Sequence, residues 1–244
     1  MRRLPPRSIT QTVGFIRDNL TENGIVYILG GTGAVPASVE DSLSGIEVKR
    51  LSGKDRYKTN MLILNTAGIS RGTDLLIASG DGFADALSAS ALGKPIMLVG
   101  RNATALTDEQ KAFVTSKTFR NIYILGGSGA IKDAIVDEIK ALKPGVNVER
   151  VKGSDRYATS LAIATKFFAS AENITIATGE NFPDGLSGGP LAYALGAPMV
   201  LVRGDRAAVV NAAAQYADQV GAARFLAFGG SGVVSDAALT AIAK

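Results

Sequence analysis

Short apolar runs alternate with amphipathic stretches along most of this chain. Glu47–Leu51 reads as a strand, and Asp55–Gly68 follows with helical spacing of Tyr57, Met61 and Leu64. Asp74–Ala78 is a short apolar strand ending at Ser79-Gly80. Ala84–Leu92 is a helix of small residues, and Pro95–Val99 is another strand. Thr107–Lys117 opens with a Thr at the N-cap and Gln110 at the third helical position, the pattern of a capping box. Asn121–Leu125 reads as a strand, and Ile131–Leu142 as a helix with Ile131, Ile135 and Ile139 on one face. Strands of about five apolar residues without polar alternation belong to buried parallel sheets covered by helices on both faces. The pattern predicts an α/β unit of four strands and four helices joined by right-handed crossovers.

The same pattern recurs after about 100 residues. Arg50-Leu51-Ser52-Gly53-Lys54-Asp55-Arg56-Tyr57-Lys58-Thr59 returns as Arg150-Val151-Lys152-Gly153-Ser154-Asp155-Arg156-Tyr157-Ala158-Thr159. Ser79-Gly80-Asp81-Gly82-Phe83-Ala84-Asp85 returns as Thr178-Gly179-Glu180-Asn181-Phe182-Pro183-Asp184, and Pro95–Val99 as Pro198–Val202. A Gly-Gly-[Thr/Ser]-Gly turn occurs three times, at Gly30-Gly31, Gly126-Gly127 and Gly229-Gly230. The chain therefore divides into 1–49, the C-terminal half of a truncated repeat; 50–149, a first complete repeat; and 150–244, a second. So small a sheet leaves edges and faces to cover, so the copies are expected to pack against one another. The half-copy is free to pair with another chain.

Composition narrows the chemistry. The 46% hydrophobic content supports a packed core. His and Cys are both absent, which excludes disulfides, Cys/His metal sites and His-based or thiolate catalysis. The net charge of +4 favours an anionic partner only weakly, and no Lys/Arg cluster suggests nucleic acid. No apolar run reaches the roughly 18–20 residues of a membrane span. The opening residues 1–10 are basic without an apolar segment, so they are not an intact signal peptide. The chain is then cytosolic or a trimmed piece of a longer secreted protein, and zero Cys fits both.

Each motif admits two readings. The Gly-Gly turns follow a strand and precede a helix. They serve as tight turns or present N–H groups to an anion, without a Walker Lys-Ser/Thr. Asp55 and Asp155 suit helix caps. Arg56 and Arg156, beside them at a helix start, call for carboxylate partners. Asp85 and Asp184 are the candidates, giving semi-buried pairs Arg56–Asp85 and Arg156–Asp184. Alternatively Lys54, Arg56 and Arg156, with the loops at Gly80 and Gly179, hold an anionic ligand. A third possibility is an enzyme using Asp81 with Asp85, or Glu180 with Asp184, as acid and base or as Mg²⁺ ligands. The change from Asp to Glu at the first position speaks against it. A structural spacer remains a further alternative.

At these signatures the chain resembles the cell wall binding repeat 2 family, whose pattern is similar to R-L-x-G-x-D-R-Y-x-T, then G-x-N-F-P-D-A-L-S, P-I-L-L and Y-I-L-G-G-x-G-A. The likeness spans about residues 9–244, with departures at Gly82, Ala84, Val151-Lys152, Gly185 and Phe228. It implies tandem, small, Rossmann-like or Toprim-like modules with mostly parallel sheets, assembled about a pseudo-threefold. It also implies surface-layer or other extracellular wall-associated proteins of Gram-positive bacteria. The implied function is non-covalent anchoring to an anionic secondary wall polymer, with neither cofactor nor metal, through Lys54, Arg56, Arg156 and the Gly-rich turns, including Gly30, Gly31, Gly126, Gly127, Gly229 and Gly230.

Overall fold

A computed structural model describes residues 6–244; residues 1–5 of the basic opening segment lie outside the described part. The chain forms two compact units, one up to Gly68 and one from Ile69 to Lys244.

The first unit contains α1 (Pro6–Asn19), β1 (Ile25–Leu29), α2 (Ala37–Asp41), β2 (Glu47–Leu51) and α3 (Arg56–Thr66). β1 and β2 form a parallel pair in which Val26 faces Val48 and Leu29 faces Leu51. Ile28, Leu43, Met61 and Leu64 are buried. Arg17 Nη2 ties α1 to the end of the α2 region by donating to the Ser44 carbonyl at 2.9 Å.

The second unit continues with β3 (Thr73–Ser79), α4 (Ala84–Ser90), β4 (Ile96–Val99), α5 (Asp108–Ser116), β5 (Phe119–Leu125), α6 (Asp133–Leu142) and β6 (Asn147–Val151). It then adds α7 (Arg156–Phe167), β7 (Asn173–Thr178), α8 (Pro183–Ala194), β8 (Met199–Val202), α9 (Ala207–Val220), β9 (Arg224–Ala227) and α10 (Asp236–Ile242). Two parallel sheets result, of order β4-β3-β5-β6 and β8-β7-β9. Both match the α/β architecture read from the sequence, and the Thr107–Gln110 capping box is present in full at α5.

One arrangement differs from the period of the sequence. The strand that opens the second complete repeat, β6, lies in the sheet of the first, beside β5. An arginine explains its hold. Arg150 Nη1 donates to the Gly126 carbonyl at 2.8 Å. Its Nη2 reaches the Ile131 carbonyl at 3.0 Å and Asp133 Oδ1 at 2.8 Å. In return the Gly126 N–H donates to the Val151 carbonyl at 2.8 Å. The first unit repeats the device. Arg50 Nη1 donates to the carbonyls of Gly30 (2.9 Å) and Val35 (3.1 Å), its Nε to Glu40 (3.0 Å), and the Gly30 N–H meets the Leu51 carbonyl at 2.8 Å. Charge-assisted bonds to carbonyls and a carboxylate are the stronger kind and fix geometry well.

The two complete repeats share a core within the second unit. Ala84, Leu87 and Ala91 of the α4 region are buried in one cluster with Tyr157, Val200 and Leu201. Leu87 packs where a Cβ on Gly185 of α8 would fall 2.7 Å from its Cδ2, so a larger residue there would have to displace the Leu87 side chain. Behind the first sheet, the rings of Tyr123 and Phe167 meet edge to face at 4.9 Å, a favourable aromatic geometry.

At the opposite end of the first sheet, Asp74 of β3 is buried, with Lys94 Nζ at 2.7 Å and Asn121 Nδ2 at 2.9 Å, and Arg120 also reaching it. Burial by itself would raise the Asp74 carboxyl. The bonds from Lys94, Asn121 and Arg120 outweigh it and hold the pKa at about 2. Because that lies below the unfolded value of about 3.9, the resulting stabilisation is present above about pH 4 and is lost as pH falls towards 2. It amounts to on the order of 2 kcal/mol. Urea denaturation at stepped pH should show this acid limb, and Asp74→Asn should flatten it; an unchanged slope in the variant would refute the assignment.

Candidate functional site

The segment linking β6 to α7 is built so that it places Arg156 at the carboxyl ends of the sheets. Asp155 caps α7, its Oδ1 accepting the N–H groups of Tyr157 and Ala158 at 3.0 and 2.9 Å. The bond from the Ala158 N–H leads the influences that hold its carboxyl below the usual range, and the ion pair with Arg206 at 3.2 Å adds to it, with the Tyr157 N–H contributing least. The Gly153 N–H donates to the Thr159 hydroxyl at 3.0 Å, and a Cβ on Gly153 would strike Ala158. The first unit shows the same start, with Asp55 capping α3 through the Lys58 N–H and Gly53 bonded to Thr59 at 3.0 Å. Gly-x-Asp-Arg-Tyr-x-Thr is thus a self-contained helix start, and the expected capping role of Asp55 and Asp155 is what the structure contains.

In the second unit this segment forms one wall of a cleft of about 420 Å³ at the carboxyl ends of the first sheet. The other walls are the loops after β3, β4 and β5, including Phe83, Asp85, Arg101 and the Gly126-Gly127 turn. Sites in open α/β sheets commonly sit at this end. Arg156 is largely exposed; its guanidinium lies 5.4 Å from the centre of the Phe83 ring and donates to the Gly179 carbonyl. The turn after β5 uses the Gly127 carbonyl for its own bonds to Ala130 and Ile131. The N–H groups of Gly127, Ser128 and Gly129 have no acceptor among the described residues.

Asp85 lies in the same cleft. Burial pushes its carboxyl up, and the charges of Arg156 and Arg101 oppose that. Arg156 therefore acts on the aspartate of the preceding repeat, and no ion pair joins it to Asp184 among the described residues. Asp184 holds the position equivalent to that of Asp85, with Oδ2 2.5 Å from where a Cβ on Gly229 would be, as the Asp85 carboxylate stands against Gly126. Each aspartate thus abuts the first glycine of its own repeat's turn, where φ is +90° at Gly126 and +100° at Gly229. Arg56 and Lys54 are exposed in the first unit, at and just before the start of α3. Gly179 proves to be a packing position, since a Cβ there would lie 2.5 Å from the Tyr157 ring. Gly80 closes β3 by donating to the Val99 carbonyl at 2.9 Å.

The paired acids have other duties. Asp81 Oδ2 accepts the Arg101 N–H at 2.7 Å, and Glu180 accepts the Tyr157 hydroxyl. Burial, with Glu180 next in weight, lifts that hydroxyl to about 12. The functional residues missed in the sequence are Arg101, which has no arginine at its equivalent position in the second repeat, and the clamps Arg50 and Arg150. Arg50 and Arg150 do open the repeated ten-residue motif, and that recurrence was the available signal.

These repeated signatures have known counterparts. The family model for cell wall binding domain 2 matches residues 50–136 and 150–239, and the chain belongs to that family of wall-binding repeats. The chain is 28% identical over 204 residues to the N-acetylmuramoyl-L-alanine amidase LytC of Bacillus subtilis (strain 168), which covers 83% of this chain and 39% of the amidase. The amidase enhancer of the same organism is 28% identical over 185 residues, 74% of this chain and 24% of the enhancer. The chain thus spans well under half the length of the curated relatives it matches. Among solved structures, Cwp8 from Clostridium difficile aligns with a TM-score of 0.75 at 25% identity, covering 90% of this chain and 37% of Cwp8. Cwp6 from the same organism aligns with a TM-score of 0.76 at 22% identity, over 98% of this chain and 38% of Cwp6, and shares the fold.

Gly126→Ala should destabilise the second unit by about 2 kcal/mol or more, since φ is positive and the Asp85 carboxylate fills the space. Gly127→Ala, with open space around it, should change stability by less than about 0.5 kcal/mol. Equal urea midpoints for the two variants would contradict this account.

Proposed function

We propose that these repeats anchor their parent protein to the cell wall by binding an anionic wall polymer in the clefts where one repeat meets the next. The observation that carries this reading is the second-unit cleft itself. It joins two guanidinium groups, Arg101 and Arg156, to a turn with unused N–H donors, around a polar floor. Guanidinium forks and oriented amides both suit phosphate or carboxylate groups. Asp85 sits among them and offsets part of that positive field, so each cleft binds weakly. Strength then comes from several clefts engaging one polymer through effective concentration. Lys54, Arg56 and the Gly30-Gly31 turn occupy the equivalent motif positions in the first unit and would serve the same end. Extracellular, wall-associated placement follows from this reading, and a lytic activity belongs to it no more than to any other binding module.

The test is sedimentation with purified Gram-positive walls before and after their secondary polymers are stripped. Stripping should abolish retention, and raising salt from 0.05 to about 0.5 M should weaken it by shortening the screening length. The Arg101→Ala/Arg156→Ala double variant should lose roughly tenfold in affinity, while Arg101→Ala alone keeps the fold because only its backbone N–H is bonded. Retention that survives polymer removal, or that the double variant leaves intact, would overturn the proposal.

A further inference from the structure

The cleft at the carboxyl ends of the first sheet holds both signs of charge, and one of its acids is unspent. Three carboxylates line it, Asp81, Asp85 and Asp155. Asp155 is committed to the Tyr157 and Ala158 N–H groups and to Arg206. Asp81 takes the Arg101 N–H at 2.7 Å. Asp85 is half-buried against Gly126, yet its carboxylate makes no hydrogen bond or ion pair among the described residues. Arg101 and Arg156 act on it only through their field. Taking a carboxylate out of water without giving it a donor is unfavourable. A plain anion entering the cleft makes this worse, because it sets a second negative charge beside the first.

We infer that the cleft recognises a wall-polymer unit that carries a protonated primary amine beside its anionic group, with Asp85 as the amine's acceptor; this rests on the anchoring reading above. The anion lies against the guanidinium groups of Arg101 and Arg156. It also meets the N–H groups of Gly127, Ser128 and Gly129, which have no acceptor among the described residues. The Arg101 side chain has no partner among the described residues, and Arg156 spends Nη1 on the Gly179 carbonyl. The ammonium brings N–H donors to a carboxylate that has none. A cleft of about 420 Å³ is large enough for such a unit. Asp85 then sets specificity twice over. It attracts units with an amine and repels those with a bare phosphate or carboxylate.

Two small probes separate the charges: O-phosphoethanolamine, which has a phosphate and an amine, and glycerol 3-phosphate, which has the phosphate alone. Each is titrated against the whole chain at neutral pH and fixed ionic strength, and binding is followed by amide-resolved NMR. Phosphoethanolamine is expected to bind about fivefold tighter. A simply basic cleft would give the opposite order, because glycerol 3-phosphate carries more net negative charge. Both probes should shift the amides of Gly127, Ser128 and Gly129, and phosphoethanolamine alone those of Ala84–Ala86. Asp85→Asn should abolish the preference, weakening phosphoethanolamine and leaving glycerol 3-phosphate as tight or tighter. Should that variant fail to fold by circular dichroism, the order of the probes on the unaltered chain and the Ala84–Ala86 shifts decide. Equal affinities, or tighter glycerol 3-phosphate, overturn the inference and leave polymer anchoring standing. So does a preference that Asp85→Asn leaves intact. Failure of both probes to move the cleft amides, into the tens of millimolar, overturns the inference and the anchoring role of the cleft together.

Discussion

The guanidinium of Arg150 gathers two carbonyls and a carboxylate at the point where one repeat ends and the next begins. Much else follows from it. With β6 held against β5, the chain leaves the sheet at Val151 in a set direction. Within five residues it has made the Asp155 cap and begun α7 with Arg156. The position of that arginine over Phe83 is thus inherited from a clamp on the far side of the strand. The Gly126 turn, gripped by the same guanidinium and by its own N–H bond, is held between the clamp and the Asp85 carboxylate. Charge-assisted bonds to fixed backbone atoms make a stiffer joint than apolar packing alone, and a cleft assembled from three loops needs such a joint.

The electrostatics of the cleft are mixed rather than simply basic. Arg101 and Arg156 face a half-buried aspartate whose carboxyl is raised chiefly by burial. On the anchoring proposal, an anion in this cleft is recognised through the geometry of its donors more than through excess charge, which suits a chain whose net charge is only +4. The acids that most resembled an enzyme's pair are engaged in holding loops, as Asp81 holds the Arg101 N–H.

Much of the fold was legible because local signals and tertiary demands agree. Apolar five-residue runs became parallel strands, the Thr107–Gln110 box became a cap, and Asp155 became another. What escaped was information carried between repeats. The motif beginning at Arg150 reads as the start of a unit, and nothing in its spacing says that its first two residues finish the previous sheet. Arg156 invited pairing with the aspartate of its own repeat, yet the shared core of α4 with α7 and α8 brings Asp85 near instead. Gly179 looked like a ligand loop because glycine often is one, and only the Tyr157 ring above it shows that packing demands it.

That offset between the repeating sequence and the closed sheet bears on how such arrays change in length. The segment that is copied and the segment that folds are out of phase by one strand. Every junction nevertheless uses the same arginine, the same turn and the same cap. Gain or loss of one whole period therefore rejoins matching ends wherever the break falls, and no new contact has to be invented at the seam. Gain or loss of any other length leaves an arginine without its turn. The joint itself thus acts as a measure of length, passing arrays that grow or shrink by whole steps and rejecting the rest.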